Sequence, residues 1–88
     1  MNIEGKIRGI LLGEDELTDI LTRKYRKKVL RIETYHDEFK ACFDQSEDIN
    51  AVILDTQDLG KVLKEYYGVD VMDIVPLSHE EYLIKFVR

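Results

Sequence analysis

Three carboxylates follow two predicted strands, at the points where those strands end. Glu14 and Asp15 come directly after the strand that ends near Gly13, and Asp55 directly follows the apolar residues 51–54. Ligands collect at the carboxyl ends of strands in open parallel sheets, so neighbouring strands would bring these acids together. Carboxylate oxygens are ligands that Mg²⁺ prefers. The alternative is that the acids begin the helices that follow, because capping and the helix dipole favour them there without a metal.

The segments that carry these acids resemble the response-regulator receiver domains. The resemblance spans residues 7–60 and is carried by Ile-Leu-Leu-Gly-Glu-Asp-Glu at 10–16 and Ala-Val-Ile-Leu-Asp-Thr-Gln-Asp-Leu-Gly at 51–60. It implies that Glu14 and Asp15 bind Mg²⁺ and that Asp55 accepts a phosphoryl group. The C-terminal third does not match, because it is too short for the two further strand–helix units of that family.

The hydrophobic pattern that must position these residues predicts an α/β fold in one domain over residues 1–88. Period-two alternation predicts strands at 3–12 and 29–35, and the unbroken apolar run at 51–54 predicts a central strand covered on both faces. Helical spacing predicts helices over 17–25, around Phe39 to Phe43, and from Leu59 to a terminator at Gly68. The order β-α-β-α-β-α-β-β predicts a small, mostly parallel sheet with helices on its faces, no internal repeat, and a C-terminal antiparallel hairpin.

The closing hairpin consists of strands at 69–77 and 81–87, joined at Ser78, His79 and Glu80. Pro76 predicts an edge position for the first of them, because proline cannot donate to a sheet ladder. An edge strand can pair across a two-fold axis, so a homodimer through this edge is a further hypothesis.

Six basic residues lie within nine positions of a chain whose formal net charge is −5. They favour a solvated helix end, since the acids at 14–16 precede them and the helix dipole prefers that order. The alternative is an anion site for phosphate or nucleic acid, although the acidic bulk of the chain repels nucleic acid. The residues concerned are Arg23, Lys24, Arg26, Lys27, Lys28 and Arg31.

The remaining polar residues do not form a recognisable catalytic set, so we expect a protein that is not an enzyme. His36 and His79 lack the spacing of a helical zinc site and fall in predicted turns. Cys42 lies on an apolar stripe with Phe39 and Phe43, which predicts a buried, unreactive thiol. No cofactor is expected apart from Mg²⁺ under the receiver hypothesis.

A single cysteine excludes an internal disulfide, and no apolar segment is long enough to cross a bilayer. The N-terminal residues lack the pattern of a secretory signal, so we expect the protein to be located in the cytoplasm of a cell or of an infected host.

Exposed tyrosines beside charges are typical of protein interfaces, and the alternative is that their rings are buried on the apolar faces of amphipathic elements. The tyrosines concerned are Tyr25, Tyr35, Tyr66 and Tyr67.

The favoured function is therefore a non-catalytic regulatory module that binds a protein partner through an acidic surface. Small inhibitors that phages direct against host proteins are an analogy for such a module. The alternatives are a truncated receiver-like Mg²⁺ and phosphate switch, and an anion binder that uses the basic run at 23–31.

Overall fold

The computed structural model describes residues 8–77 and 80–87. Residues 3–7 of the predicted first strand, and Ser78 and His79 of the predicted hairpin, lie outside these ranges. Within the described residues the chain forms strands and helices in the order β-α-β-β-β-α-β-β. They are β1 (Arg8–Gly13), α1 (Glu14–Tyr25), β2 (Val29–Tyr35), β3 (Glu38–Phe43), β4 (Ala51–Asp55), α2 (Thr56–Tyr67), β5 (Val71–Leu77) and β6 (Glu81–Phe86).

The described strands form two three-stranded sheets, and every strand pair in them is antiparallel. One sheet has the order β1-β6-β5 and the other has the order β2-β3-β4. The predicted mostly parallel sheet is therefore wrong. The molecule is a small α+β fold with two helices, rather than a βαβ fold with helical crossovers.

The error arises at the segment that follows β2. Phe39 and Phe43 match a helical stripe, but with Ala41 they also alternate with period two, and the structure uses that second pattern in β3. His36 adopts the left-handed conformation (φ 46°), which turns the chain back within a short loop. The predicted helix is therefore the second strand of a hairpin, and no crossover remains to make the sheet parallel.

The strand at 51–54 is also placed differently from the prediction. It forms β4, which lies at the edge of its sheet rather than at the centre. Ile53 points away from the core and is 58% exposed, whereas Leu54 is buried. An apolar run without alternation therefore marks an edge strand with one covered face in this protein.

Several predicted elements are confirmed. The helices α1 and α2 are present, and Gly68 ends α2 in the left-handed conformation (φ 77°). The hairpin of β5 and β6 closes the chain, and β5, which contains Pro76, is an edge strand.

The chain contains an internal repeat of the unit β-α-β-β, which contradicts the expectation that no repeat is present. The elements β1, α1, β2 and β3 are followed by β4, α2, β5 and β6 in the same order, and the distance along the chain from α1 to β2 equals that from α2 to β5. The helix ends also match, because the residues after α1 and α2, Arg26 and Gly68, are both left-handed. Both β2 and β5 carry a bulge at the same relative position.

The two repeats exchange strands. The first strand of each repeat pairs with the last strand of the other, so β1 pairs with β6 and β4 pairs with β3. The registers agree as well: Leu12 lies opposite Tyr82, and its equivalent Leu54 lies opposite Phe39. Neither repeat can complete its sheet alone, so the described residues form one structural unit.

The core is shared between the repeats and contains equivalent residues from both. The Phe39 and Tyr82 rings occupy equivalent positions and contact each other edge to face, with centroids 6.2 Å apart. The pairs Tyr25–Phe43 and Tyr67–Phe86 are equivalent in the same way, at 5.9 and 5.5 Å. Identical residues are buried at several pairs of equivalent positions: Leu12 and Leu54, Leu17 and Leu59, Leu21 and Leu63, Ile32 and Ile74, Phe43 and Phe86.

Candidate functional site

The carboxylates predicted to share a Mg²⁺ ion lie at the ends of β1 and β4, and these two strands belong to different sheets. Asp55 is the last residue of β4 and caps α2, where its Oδ1 accepts the backbone N–H of Asp58 at 2.7 Å. Glu14 begins α1, and its Oε2 accepts the backbone N–H of Ile32 at 2.7 Å, which ties the helix to β2. Asp15 is exposed in the first turn of α1. Asp55 therefore has the local capping role that helix starts favour, whereas Glu14 joins its helix to a neighbouring strand.

No group of three or more His, Cys, Asp or Glu side chains in the described part of the chain is arranged to hold a metal ion. The geometric basis of the predicted site was a pair of neighbouring parallel strands. That basis is absent, because β1 and β4 belong to separate antiparallel sheets. The parallel sheet that the receiver resemblance implies is absent from the described strands for the same reason.

The basic run is divided between the end of α1, a turn and the start of β2, and half of its charges have acidic partners. Lys24 pairs with Glu65 at 3.1 Å, and Arg31 pairs with Glu33 at 2.9 Å. Lys27 pairs with Asp48 at 2.7 Å, and this hydrogen bond raises the pKa of Lys27. The remaining three, Arg23, Arg26 and Lys28, are exposed at separate points of this stretch.

His36 and Cys42 have the surroundings that the sequence predicts. His36 is exposed in the turn between β2 and β3. The thiol of Cys42 is buried, and its Sγ lies 4.0 Å from the carbonyl oxygen of Lys40.

The four tyrosines divide into two half-buried and two exposed rings. Tyr25 and Tyr67 pack their rings against phenylalanines of the core. Tyr35 is 52% exposed at the end of β2, where its hydroxyl donates to Glu33 Oε1 at 2.7 Å. Tyr66 is 51% exposed near the end of α2 and contacts the ring of Tyr67 edge to face, with centroids 4.9 Å apart. The structure therefore brings together Tyr66 and Tyr67, but not Tyr25 or Tyr35.

Two acids of α1 meet these two tyrosines where the helices pack. A depression of about 120 Å³ lies between α1 and α2, and its lining includes the buried Ile20 and the exposed Arg23. We call its remaining lining residues the acidic tyrosine patch: Glu16, Asp19, Tyr66 and Tyr67.

Short-range contacts fix the geometry of this patch. The Oε1 atom of Glu16 accepts the backbone N–H of Gly13 at 3.0 Å, which holds the carboxylate at the start of α1. The pKa of Tyr67 is raised, mainly because its ring is partly buried and also because Tyr66 and Glu16 are close. The Tyr67 phenol therefore remains neutral over the physiological range of pH, and the negative charge of the patch comes from its carboxylates.

The internal repeat supplies a second copy of this position with different side chains. The equivalent residues are Asp58 and Lys61 on α2, and Lys24 and Tyr25 on α1. Lys24 is held in its ion pair with Glu65. The equivalent position therefore carries two lysines, where the depression that holds the patch is lined by one cation, Arg23, and it lacks the exposed aromatic ring.

The sequence analysis predicted the tyrosines of this patch but missed Asp19 and the significance of Glu16. Glu16 and Asp19 are three positions apart and so lie on one face of α1. A search for self-similarity within the sequence could have found the repeat. The shift that superimposes the start of α1 on the start of α2 also aligns Tyr25 with Tyr67, which identifies the two helices as equivalent.

A larger open groove of about 720 Å³ lies beside the end of α2. It is mostly apolar, and it is bounded by residues 8 and 87, at which the described ranges begin and end. Its lining residues are Arg8, Gly9, Ile10, Tyr67, Val69, Phe86 and Val87.

Comparisons of the chain with protein-family models, with curated proteins and with solved structures find no match. The receiver resemblance therefore stays a prediction from the sequence, and the function has to be argued from the geometry. Neither of the described helices has the length and apolar composition needed to cross a membrane.

Proposed function

We propose that this chain is a non-catalytic protein-binding module whose acidic tyrosine patch engages a basic surface of a partner protein. The observation that carries the proposal is the meeting of Glu16 and Asp19 with the rings of Tyr66 and Tyr67 in one depression. Tyrosine is enriched among the residues that dominate binding energy at protein interfaces. A tyrosine beside two carboxylates provides both an apolar anchor and a preference for positive charge.

The two components of the patch have different tasks. The exposed ring of Tyr66 supplies buried area when a partner covers it, and its contact with Tyr67 holds the ring in place before binding. The carboxylates of Glu16 and Asp19 outnumber Arg23 in the depression and, with a net charge of −5 on the chain, draw lysine and arginine side chains of the partner toward the patch. A module that covers a basic site in this way regulates its partner by occlusion.

The proposal is tested by capture of partners from a lysate of the source cells on immobilised protein, with quantitative mass spectrometry. Four forms are compared: the unaltered chain, Asp19→Lys, Tyr66→Ala and Asp58→Lys. Asp58→Lys is the matched control, because it makes the same change of charge at an exposed position of α2 outside the patch. Circular dichroism confirms that each variant is folded.

We expect a protein that is retained by the unaltered chain and by Asp58→Lys, and that is retained at least about tenfold less by Asp19→Lys and by Tyr66→Ala. Its retention should also fall as the salt concentration rises, because opposite charges are being screened. Equal retention by all four forms, or an equal loss with Asp58→Lys, would contradict the proposal. In the first case the patch is not used, and in the second the effect is one of overall charge.

A further inference from the structure

The β1-β6-β5 sheet has an outer face that points away from the helices. Alternation identifies its members, because Leu12, Ile74 and Ile84 are buried and their neighbours along the strands point outward. In register, the outward residues of the three strands form a grid. Its rows are Gly9, Lys85 and Asp73; Leu11, Leu83 and Val75; and Gly13, Glu81 and Leu77.

The middle row of this grid is an aliphatic band that crosses all three strands. Leu11 is 58% exposed, and Leu83 and Val75 are half-buried. Leu77, 41% exposed, extends the band toward the end of β5. Aliphatic side chains directly opposite one another across strands form a continuous apolar surface, of the kind that packs against another sheet.

The equivalent face of the β2-β3-β4 sheet is different. Its middle row holds Ile53, Lys40 and Glu33 in the same register. Since the two sheets are related by the internal repeat, the backbone does not require an aliphatic band. The band is a property of one sheet alone.

The two charges that β6 places beside the band complement a second copy of the same face, while Asp73 of β5 lies opposite Lys85 within the same copy. On β6, Lys85 lies two positions to one side of Leu83 and Glu81 lies two positions to the other. A two-fold axis that lies between the two facing sheets, parallel to them and perpendicular to the strands, passes over Leu83 and exchanges these two positions between the two copies. Lys85 of each copy would then face Glu81 of the other, and Leu83 would face Leu83.

We propose that the outer face of the β1-β6-β5 sheet packs against the same face of a second copy of this chain, with Leu83 at the two-fold axis. The aliphatic bands of the two copies form the centre of the interface, and two Lys85–Glu81 pairs flank it. This self-association does not depend on the acidic tyrosine patch, which lies on the helices. It also differs from the edge-to-edge dimer through β5 that the sequence analysis suggested.

The size of the face predicts how tight this dimer is. Three strands about 4.8 Å apart and about 20 Å long present roughly 300 Å² of projected area from each copy. Standard interfaces bury about 800 Å² per partner, so this one belongs to the weak class. We therefore expect a monomer at low micromolar concentration and a dimer that becomes populated toward millimolar concentration.

Sedimentation equilibrium over that range of concentration tests the proposal. The expected mass rises from 10.4 kDa toward twice that value. Lys85→Glu and Glu81→Lys should each abolish the rise, because each places like charges opposite one another across the axis. The double variant that carries both substitutions should restore the rise, because opposite charges again face each other across the axis.

Glu38→Lys is the matched control, because Glu38 occupies the position on β3 that is equivalent to Glu81. It should dimerise as the unaltered chain does. Thermal melts followed by circular dichroism show whether each variant is folded. A mass that stays at the monomer value up to millimolar concentration overturns the proposal. So does a dimer that survives both single substitutions in folded protein, because it must then use another surface.

Discussion

The helices of the two repeats offer two equivalent surface positions that differ in their balance of charge and in their aromatic side chains. At one of them, Glu16 and Asp19 of α1 face the exposed ring of Tyr66. At the other, Lys61 and Lys24 replace Asp19 and Tyr66, and Lys24 is engaged by Glu65. The same elements surround both positions, so the difference is in the side chains alone.

The core shows the opposite behaviour, since equivalent core positions hold identical or similar residues. Strand exchange explains this, because each sheet is built from both repeats and the two sets of apolar side chains fill one shared space. A change of volume in one repeat is therefore felt by the other. The comparison shows that the fold constrains both repeats equally inside and leaves their surfaces free to differ.

The largest effect is expected from shortening a core leucine in either repeat. Leu17 and Leu59 are equivalent, and both are fully buried. Leu17→Ala and Leu59→Ala should each lower the free energy of unfolding by about 2–5 kcal/mol, through lost burial and the cavity that remains. Because the core is shared, the two losses should be similar, and each variant should unfold in a single transition. Urea denaturation followed by circular dichroism measures both quantities.

Lys61→Ala on the exposed face of α2 serves as the control for this pair and should change the stability by less than about 0.5 kcal/mol. A two-step transition in either leucine variant would show that the repeats unfold separately. In that case a shared core could not explain why equivalent buried positions hold identical or similar residues.

The sequence predicts the fold correctly where one pattern fits the residues and incorrectly where two patterns fit. The apolar residues of α1 and α2 fit the period of a helix and not the period of a strand, and Pro76 excludes a central position in a sheet for its strand. Phe39 and Phe43 fit both periods, and the left-handed turn at His36 decides for the strand, although its residue type does not require that conformation. Because a helix was predicted there, the prediction had a helical crossover in place of a hairpin, and the predicted sheet was parallel instead of antiparallel.

The candidate site was predictable only in part, because its members are far apart along the chain. Tyr66 and Tyr67 are visible as adjacent aromatics, but Glu16 and Asp19 belong to the first helix and precede them by more than the length of a repeat. Their proximity depends on how α1 packs against α2, which periodicity within one helix does not determine. The repeat itself was obscured because the turn between β5 and β6 is longer than the turn between β2 and β3.

A smaller effect is expected where the two helices end. Arg26 and Gly68 follow α1 and α2, and both are left-handed, with φ of 58° and 77°. Only glycine adopts this conformation without a steric penalty. Arg26→Gly should therefore raise the free energy of unfolding by up to about 1 kcal/mol, and Gly68→Ala should lower it by about 1 kcal/mol or somewhat more. Chemical denaturation measures both changes.

The environment of Gly68 makes this a clean test, because an added Cβ atom would meet no atom within 4 Å apart from its immediate chain neighbours. The loss in Gly68→Ala then reports the backbone conformation alone. Arg26→Lys keeps both the charge and the strain, so it should leave the stability unchanged. A stabilisation by Arg26→Lys equal to that by Arg26→Gly would show that the arginine side chain, and not the backbone, is responsible.

The smallest effect is expected from a fall in pH, which should weaken the loop after β3 more than the equivalent segment after β6. Hydrogen bonds lower the pKa of Asp48, through Lys27, and of Asp44, through Ser46. Both acids lie in the loop that follows β3 and joins the repeats. A lowered pKa contributes stability that is present above the unfolded value of about 4 and is lost as the pH falls through the folded value. The loop after β3 should therefore loosen below about pH 4.

Two equivalent amides report this difference. The N–H of Asp44 donates to the carbonyl of Lys28 at 2.9 Å, and the N–H of Val87 donates to the carbonyl of Asp70 at 2.8 Å. Between pH 6 and pH 3, hydrogen exchange measured by NMR and corrected for the intrinsic rates should show a greater loss of protection at Asp44 than at Val87. Asp48→Asn should reduce the difference, because the ion pair with Lys27 no longer titrates. An equal loss at both amides would mean that acid acts on the shared core, because the loop after β3 would then be no more sensitive to acid than the end of β6.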